Sequence, residues 1–365
     1  MDILIPDLHI LIIEQLSIFK RLKMRSINKY FNNLISSHHM QQMIIPINPI
    51  YIKHLTHIRK LYFDITIRNQ SNITACDNII SVYMLKNTHD SQIKKMTNIT
   101  KLAVNNKMTD ATLQKLTKLR ILTLNDNTSI SNNAIIHLTN LQRLDLSFNK
   151  KITGITHLTK LSSLKLYGNN TISELSLIQL TNLTKLNLAH NKIISDACFS
   201  ILTKINNLDI GCNYKITDYG LLYLTDFTTL YLFDNDTITN ASLSKLTKLK
   251  FLEIANDIII TNDAIKKLTS ITSLTIENTV GITGTALRDL TNITNLNLAI
   301  MAISDFDIEH LTNIKFLNIY YTNISNQSIT KLTNLIKLNT TPGSILPDHI
   351  YKMPKLKYVD DKRIN

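Results

Sequence analysis

LTNLTKLNLAHNKIIS (residues 180–195) and LTKINNLDIGCNYKIT (residues 202–217) decide the fold. Both stretches carry one apolar frame: Leu180, Leu183, Leu186 and Leu188 in the first, Leu202, Ile205, Leu208 and Ile210 in the second. The last pair of each alternates as a strand does. Leaders equivalent to Leu180 recur at Leu116, Leu138, Leu158, Leu224, Leu246, Leu268, Leu290, Leu311 and Leu332, spaced 20 to 22 residues apart. A period of this length marks a stack of short units, each packing on its neighbours.

Three residues beyond the second strand position stands an Asn: Asn127, Asn149, Asn169, Asn191, Asn213 and Asn235. A chain that turns there exposes backbone groups, which stacked Asn side chains can satisfy. An Ile follows, as at Ile194 and Ile216, then Thr or Ser before an xxLxxL spacing, which suits a short helix start. Asp110, Asp196, Asp218 and Asp305 follow that Thr or Ser, and a helix-start role explains them better than acid–base catalysis. Working outward, the frame fits Met96, Ile99, Leu102 and Val104; Cys76, Ile79, Val82 and Met84; and Leu55, Ile58, Leu61 and Phe63. Later units put Asp257, Thr279, Met301 and Thr322 in the Asn slot, so the turn should be rebuilt there. Thr340-Thr-Pro-Gly and Leu346-Pro precede a last partial frame at Met353, Leu356 and Val359, and prolines suit an end cap.

This frame resembles the leucine-rich-repeat family over about residues 55 to 360. The resemblance implies an α/β solenoid, a horseshoe with a parallel concave sheet and short helices or extended segments on the convex side. One unit cannot bury its own apolar edge, whereas a stack shares a core in which each buried Leu contributes about 1.5 to 3 kcal/mol.

Residues 1 to 36 do not fit the repeat and read as two amphipathic helices, with 37 to 54 as a linker and 55 to 365 as the solenoid, its cap starting at about 340. Pro6 and Asp7 suit a helix start; Leu8, Leu11, Ile12 and Leu16 mark the first helix, and Leu22, Met24, Ile27, Phe31 and Leu34 the second. The segment resembles an F-box: Ile5-Pro6 matches the family's opening and Ile27-Asn28-Lys29-Tyr30-Phe31 its close. It departs in Ile for Leu, Asn28 for Cys and a shorter loop. The resemblance implies that Ile5, Pro6, Leu8, Leu11, Ile12, Leu16, Leu22, Ile27 and Phe31 dock a Skp-type adaptor of a cullin complex. The bland alternative is that these helices only cap the first repeat.

The formal charge is +13, which raises nucleic acid or an anionic membrane as partners. Many lysines, however, fill one repeated slot, at Lys118, Lys160, Lys204 and Lys248, with no Arg-rich or aromatic-interleaved motif beside them. A solvated rim is the better reading, and neither nucleic acid nor membrane is expected as a partner. The cysteines Cys76, Cys198 and Cys212 lie far apart, as suits a reducing compartment. Asp2, Asp7 and His9 interrupt the apolar N-terminus, which does not read as a signal peptide, so a cytoplasmic or nuclear location is expected.

Walker, GxSxG and HExxH motifs are lacking, and no cofactor or metal is expected. The sequence therefore reads as a binder rather than an enzyme. Between the two strand leucines lie Lys165, Asn187, Asp209, Tyr231, Glu253, Thr275 and Asn297, and the next outward position carries Tyr167, Phe233 and Glu277. Phe251 and Phe316 are expected just before strands. Lys165, Tyr167, Asp209, Tyr231, Phe233, Phe251 and Glu253 form the candidate surface for a protein substrate, because exposed aromatics beside charges are typical interface anchors. The function these readings imply is substrate recognition in a cullin-type ubiquitin ligase. The alternatives are a repeat scaffold without that role, or a secreted adhesin of the internalin kind, against which the absence of a signal-peptide pattern counts.

Overall fold

The computed structural model describes residues 60–63, 81–84, 90, 93–94, 96–104, 106–224, 226–256, 259–341 and 353–364. The chain divides into two compact units, Met1–Asp145 and Leu146–Asn365. Both carry the leucine-rich-repeat fold.

In the first unit, strands β1 (Lys60–Phe63), β2 (Ser81–Met84), β3 (Lys101–Ala103), β4 (Ile121–Thr123) and β5 (Arg143–Asp145) pair in chain order, all parallel. Leu61, Val82, Leu102, Leu122 and Leu144 are register partners, so the apolar frame traced backwards through Val82 and Leu61 does continue. Leu55, Ile58, Cys76 and Ile79, like the segment expected to form the N-terminal helices, lie outside the described residues.

The second unit continues with β6 (Ser163–Lys165), β7 (Lys185–Asn187), β8 (Asn207–Asp209), β9 (Thr229–Phe233), β10 (Phe251–Ala255), β11 (Ser273–Glu277), β12 (Asn295–Asn297), β13 (Phe316–Ile319) and β14 (Lys337–Thr340), again parallel and in order. Two short strands follow. β15 (Tyr358–Val359) adds to β14 in parallel, and β16 (Lys362–Arg363) folds back antiparallel through Asp360 and Asp361, whose φ values of 46° and 63° suit a tight hairpin. Phe251 and Phe316 are the first residues of β10 and β13, not residues before them. Their amides already join the sheet, Phe251 N–H donating to Thr228 O at 3.0 Å and Phe316 N–H to Thr294 O at 3.1 Å.

The Asn slot does what its spacing demands. Asn169 Oδ1 accepts from Thr171 N–H (3.0 Å) and Ile172 N–H (3.2 Å), while its Nδ2 donates to Leu146 O and Asn149 O of the preceding turn, both at 2.9 Å. One carboxamide thus closes its own turn and ties it to the previous unit. The residue before it is left-handed in unit after unit: Asp126, Phe148, His190, Cys212 and Asp234 all have φ between 47° and 55°. The N–H of that residue extends the parallel ladder, as His190 N–H does to Gly211 O at 2.8 Å and Cys212 N–H to Phe233 O at 2.7 Å. The turn expected to be rebuilt after the Asn slot changes keeps the left-handed residue, with Asn278, Ile300 and Tyr321 at φ 47°, 60° and 55°. The bonding changes: Thr322 Oγ1 donates to Ile319 O at 2.9 Å, Thr279 Oγ1 to Met301 Sδ at 3.5 Å, and Ile303, one residue nearer the slot than in the Asn turns, donates its N–H to Met301 O at 3.0 Å. Asp257 lies outside the described residues.

On the helical side a second set of cross-unit bonds appears. Asp196, at the first position of its 3-10 turn (Asp196–Ser200), accepts from Thr217 N–H at 2.8 Å and Thr217 Oγ1 at 2.7 Å in the next unit. Asp218 likewise accepts from Thr239 N–H (2.8 Å), Thr239 Oγ1 (2.6 Å) and Ser242 Oγ. These carboxylates clamp neighbouring units, beyond the helix-start role read from sequence. Gly284 takes their place in one unit and offers no carboxylate, and a Cβ there would collide with Asp307; Asp305 resumes the clamp, accepting from Ser325 N–H and Ser328 Oγ at 2.7 Å each. Asp307 instead caps its own turn, accepting from Ser304 N–H and Oγ at 2.9 Å each.

The clamp predicts an acid response. Burial pushes the Asp218 carboxyl up, but the bonds from Ser242 and Thr239 outweigh it and hold it below the ordinary carboxylate range. A depressed folded-state value means stability that is present above the unfolded value and lost as pH falls below about 4. Asp218→Asn is expected to fold, since Asn240 fills the same slot, accepting from Thr261 N–H at 3.0 Å and donating to Thr261 Oγ1 at 2.7 Å. Its melting temperature should fall less steeply than wild type's between about pH 5 and pH 3. Parallel acid curves for the two proteins would refute the clamp's contribution.

Candidate interaction surface on the open sheet face

The strands β6 to β9 and β11 to β14 bury alternate residues and offer the others to solvent, at least in part. In β9, Leu230 and Leu232 are buried, Tyr231 is half-buried and Phe233 is 46% exposed. Register places Asp209, Tyr231, Glu253 and Thr275 side by side on successive strands. Phe251, one pleat back on β10, brings its ring to 4.8 Å from that of Tyr231 at an interplanar angle of 42°. Asp209, Tyr231, Phe251 and Glu253 are therefore brought together.

The remaining candidates are placed apart. Phe233 lies at the turn end of β9 over Gly211, where an added Cβ would come to 3.2 Å from both the Cβ and the carbonyl oxygen of Phe233. Tyr167 belongs to a different aromatic group: Phe148 and His190 stand edge-on to it, each with centroids at 5.0 Å. Lys165 is exposed on β6, two strands from Asp209, and favours the charged form of that carboxylate from a distance. Asn187, named in the strand row but not in the candidate surface, joins the cluster; its Nδ2 donates to Asp209 Oδ2, and its only sequence signal is its place in that row.

The electrostatics of the cluster are unbalanced. Burial pushes the Glu253 carboxyl up, and Glu277 and Asp209 push it further. Burial also raises Asp209, against the pull of Gly211 N–H, Asn187, His190 and Lys165. Burial raises the Tyr231 hydroxyl too, with Glu253 and Asp209 adding to it. Among the described residues no ion pair reaches Glu253.

A basin of about 260 Å³ lies over β11 to β14, lined by Asn295, Asn297, Asn318 and Asn339 with Phe316 and Lys337. Asn339 Oδ1 is buried there without a hydrogen-bond partner. The lysines of the repeated slot line neither site; Lys118 and Lys204 donate to Asn98 and Asn182 of the preceding units, and Lys248 pairs with Asp226. Cys198 is buried, and burial pushes its thiol up, which suits packing rather than reactivity. Among the described residues, no three His, Cys, Asp or Glu side chains gather as a metal cage, and no helix is long and apolar enough to cross a membrane.

Solved structures resemble this chain. An internalin of Listeria monocytogenes str. 4b F2365 is similar at 27% identity and a TM-score of 0.56, over 80% of this chain and 88% of that one. A leucine-rich-repeat protein of Leptospira interrogans is similar at 20% identity and a TM-score of 0.51, over 87% and 99% of the two chains. TLR13, in complex with ssRNA13, is similar at 19% identity and a TM-score of 0.53, over 82% of this chain and 48% of that one. No protein-family model and no curated protein matches the sequence.

Proposed function

We propose that this chain is a protein-interaction scaffold whose open sheet face over β8 to β11 grips a segment of a partner, and that residues 5 to 34 dock a Skp-type adaptor. On this reading it is a substrate-recognition subunit of a cullin-type ubiquitin ligase, working in the cytoplasm or nucleus. Its parts are an F-box-like module at 1–36, a linker at 37–54 and the solenoid at 55–365, capped from about 340. The observation that carries the scaffold is the Tyr231–Phe251 pair, two rings 4.8 Å apart on adjacent strands and accessible beside half-buried carboxylates. Core packing has no use for rings on that face, and interface anchors do. The adaptor half rests on Ile5-Pro6 and on Ile27 to Phe31, which lie outside the described residues. A second reading, an adhesin of the internalin kind, is favoured by the 27% identity to the Listeria internalin.

One purification series tests both halves. The full-length chain, a chain lacking residues 1 to 40, and Tyr231→Ala with Phe251→Ala are used as baits, the products being identified by mass spectrometry. The adaptor should accompany the full-length chain and the ring variant but not the deletion, and Pro6→Ala with Leu8→Ala should mimic the deletion. A partner should be lost from the ring variant alone. Adaptor absent from all baits refutes the ligase reading and leaves the scaffold; capture unaffected by the ring changes refutes this surface.

A further inference from the structure

We infer that the segment taken by this face is basic, an extended stretch whose arginine or lysine side chains seat beside Glu253 and Asp209 and over the Tyr231 ring. The inference rests on the scaffold reading above and adds the chemistry of the ligand. The chain as a whole carries a formal charge of +13, so a face where the charged groups are carboxylates is the exception. Asp209, Glu253 and Glu277 stand on β8, β10 and β11, and the groups acting on Glu253 are the other two acids. On the elements flanking it, β9 contributes Tyr231 and β11 contributes Thr275 and Glu277; Lys165 and His190 act on Asp209 from the far side.

Half-buried carboxylates that repel one another are held in the free protein at a cost in free energy, which an incoming cation relieves. The Tyr231 ring adds a face to which a guanidinium or ammonium is drawn. The acids are spread over strands rather than gathered into a cage, which fits several side chains of a polypeptide better than one compact ion. Asp209 and Glu253 are two strand spacings apart, about 10 Å. Alternate residues of an extended peptide are about 7 Å apart on one side, so two long basic side chains reach both acids.

The affinity should be pH-dependent with a definite sign. Because both carboxyls are raised in the free protein, acidification protonates them and weakens binding, and binding above that range releases no protons while binding within it does.

The test uses the full chain and a fluorescent peptide of alternating arginine and serine, with a glutamate–serine peptide as control, followed by anisotropy at about 0.1 M salt. The arginine peptide is expected to bind at least about tenfold tighter than the control, to weaken from pH 7.5 to about pH 5, and to weaken about tenfold with Glu253→Gln. Glu253→Thr, which copies the Thr275 of the next strand and so suits the fold, should behave the same. Equal binding of the two peptides, or no loss in either Glu253 variant while both melt like wild type, overturns the inference. If arginine peptides fail while Tyr231→Ala with Phe251→Ala still abolishes partner capture, the basic-ligand inference falls and the scaffold stands. If neither peptide binding nor capture depends on this face, both fall.

Discussion

Replacing Asn235 with alanine is expected to destabilise the second unit by about 3 kcal/mol, because Ile238 N–H, Asn213 O and the part-buried Thr237 N–H lose this partner at once, while Ile210 O keeps only the bond from Asn213 N–H. Asn235 Oδ1 accepts from Thr237 N–H (3.2 Å) and Ile238 N–H (3.1 Å), and Nδ2 donates to Ile210 O (3.0 Å) and Asn213 O (3.1 Å). Water cannot replace it, since the side chain is 1% exposed. In a stack the loss is shared with the neighbouring unit, so the urea transition should broaden and its slope fall, as cooperativity between the two flanks weakens. Asn140→Ala is the control. Its Nδ2 also reaches one unit back, to Thr117 O at 3.1 Å, but at an exposed position, and the cost should stay within about 0.5 kcal/mol. Equal losses at the two sites would mean that the buried Asn column is not what joins the units.

That contrast shows what sequence can and cannot disclose. The Asn191 and Asn213 slots and the Ile194 and Ile216 slots are readable because the same residue type recurs at a fixed spacing, a carboxamide that bonds backbone on both sides of the turn and a branched apolar side chain that fills the core. The left-handed residue before each Asn is not readable: Phe148, Cys212 and Asp234 carry no glycine signal. The parallel ladder imposes that conformation through the hydrogen bond of its N–H, whatever the side chain. The Asp218 clamp is hidden for another reason. Asp218 and Thr239 are 21 residues apart, one repeat, so an acid capping its own helix and an acid bonding the next unit look the same in sequence. On the sheet face, period-two alternation was enough to put Tyr231 next to Glu253 and Asp209. It could not say that Tyr167 turns toward Phe148 and His190, because side-chain direction at a strand end depends on the neighbouring rings.

Truncating Phe227 to alanine should rival the loss at Asn235. Phe227 fills the slot held by Leu183, Ile205, Leu249 and Ile271 in neighbouring units, and it is 1% exposed. Removing a buried phenyl ring costs about 3 to 5 kcal/mol, the spread reflecting how far the surroundings collapse. Phe227→Leu restores the residue that the repeat itself uses and should cost below about 1.5 kcal/mol. The difference between the two separates a volume effect from a requirement for an aromatic ring. Phe227 also sits two residues before β9, whose first amide, Thr229 N–H, donates to Asn206 O at 2.9 Å. A cavity at that point should therefore open the stack locally, and amide exchange should speed up over Thr229–Phe233 before it does over β6 or β14. Partner binding through Tyr231 should weaken in parallel in the alanine variant and recover in the leucine one. If alanine and leucine variants melt alike, or if exchange rises uniformly along the sheet, then the Phe227 ring is not what supports the strand beneath the binding face.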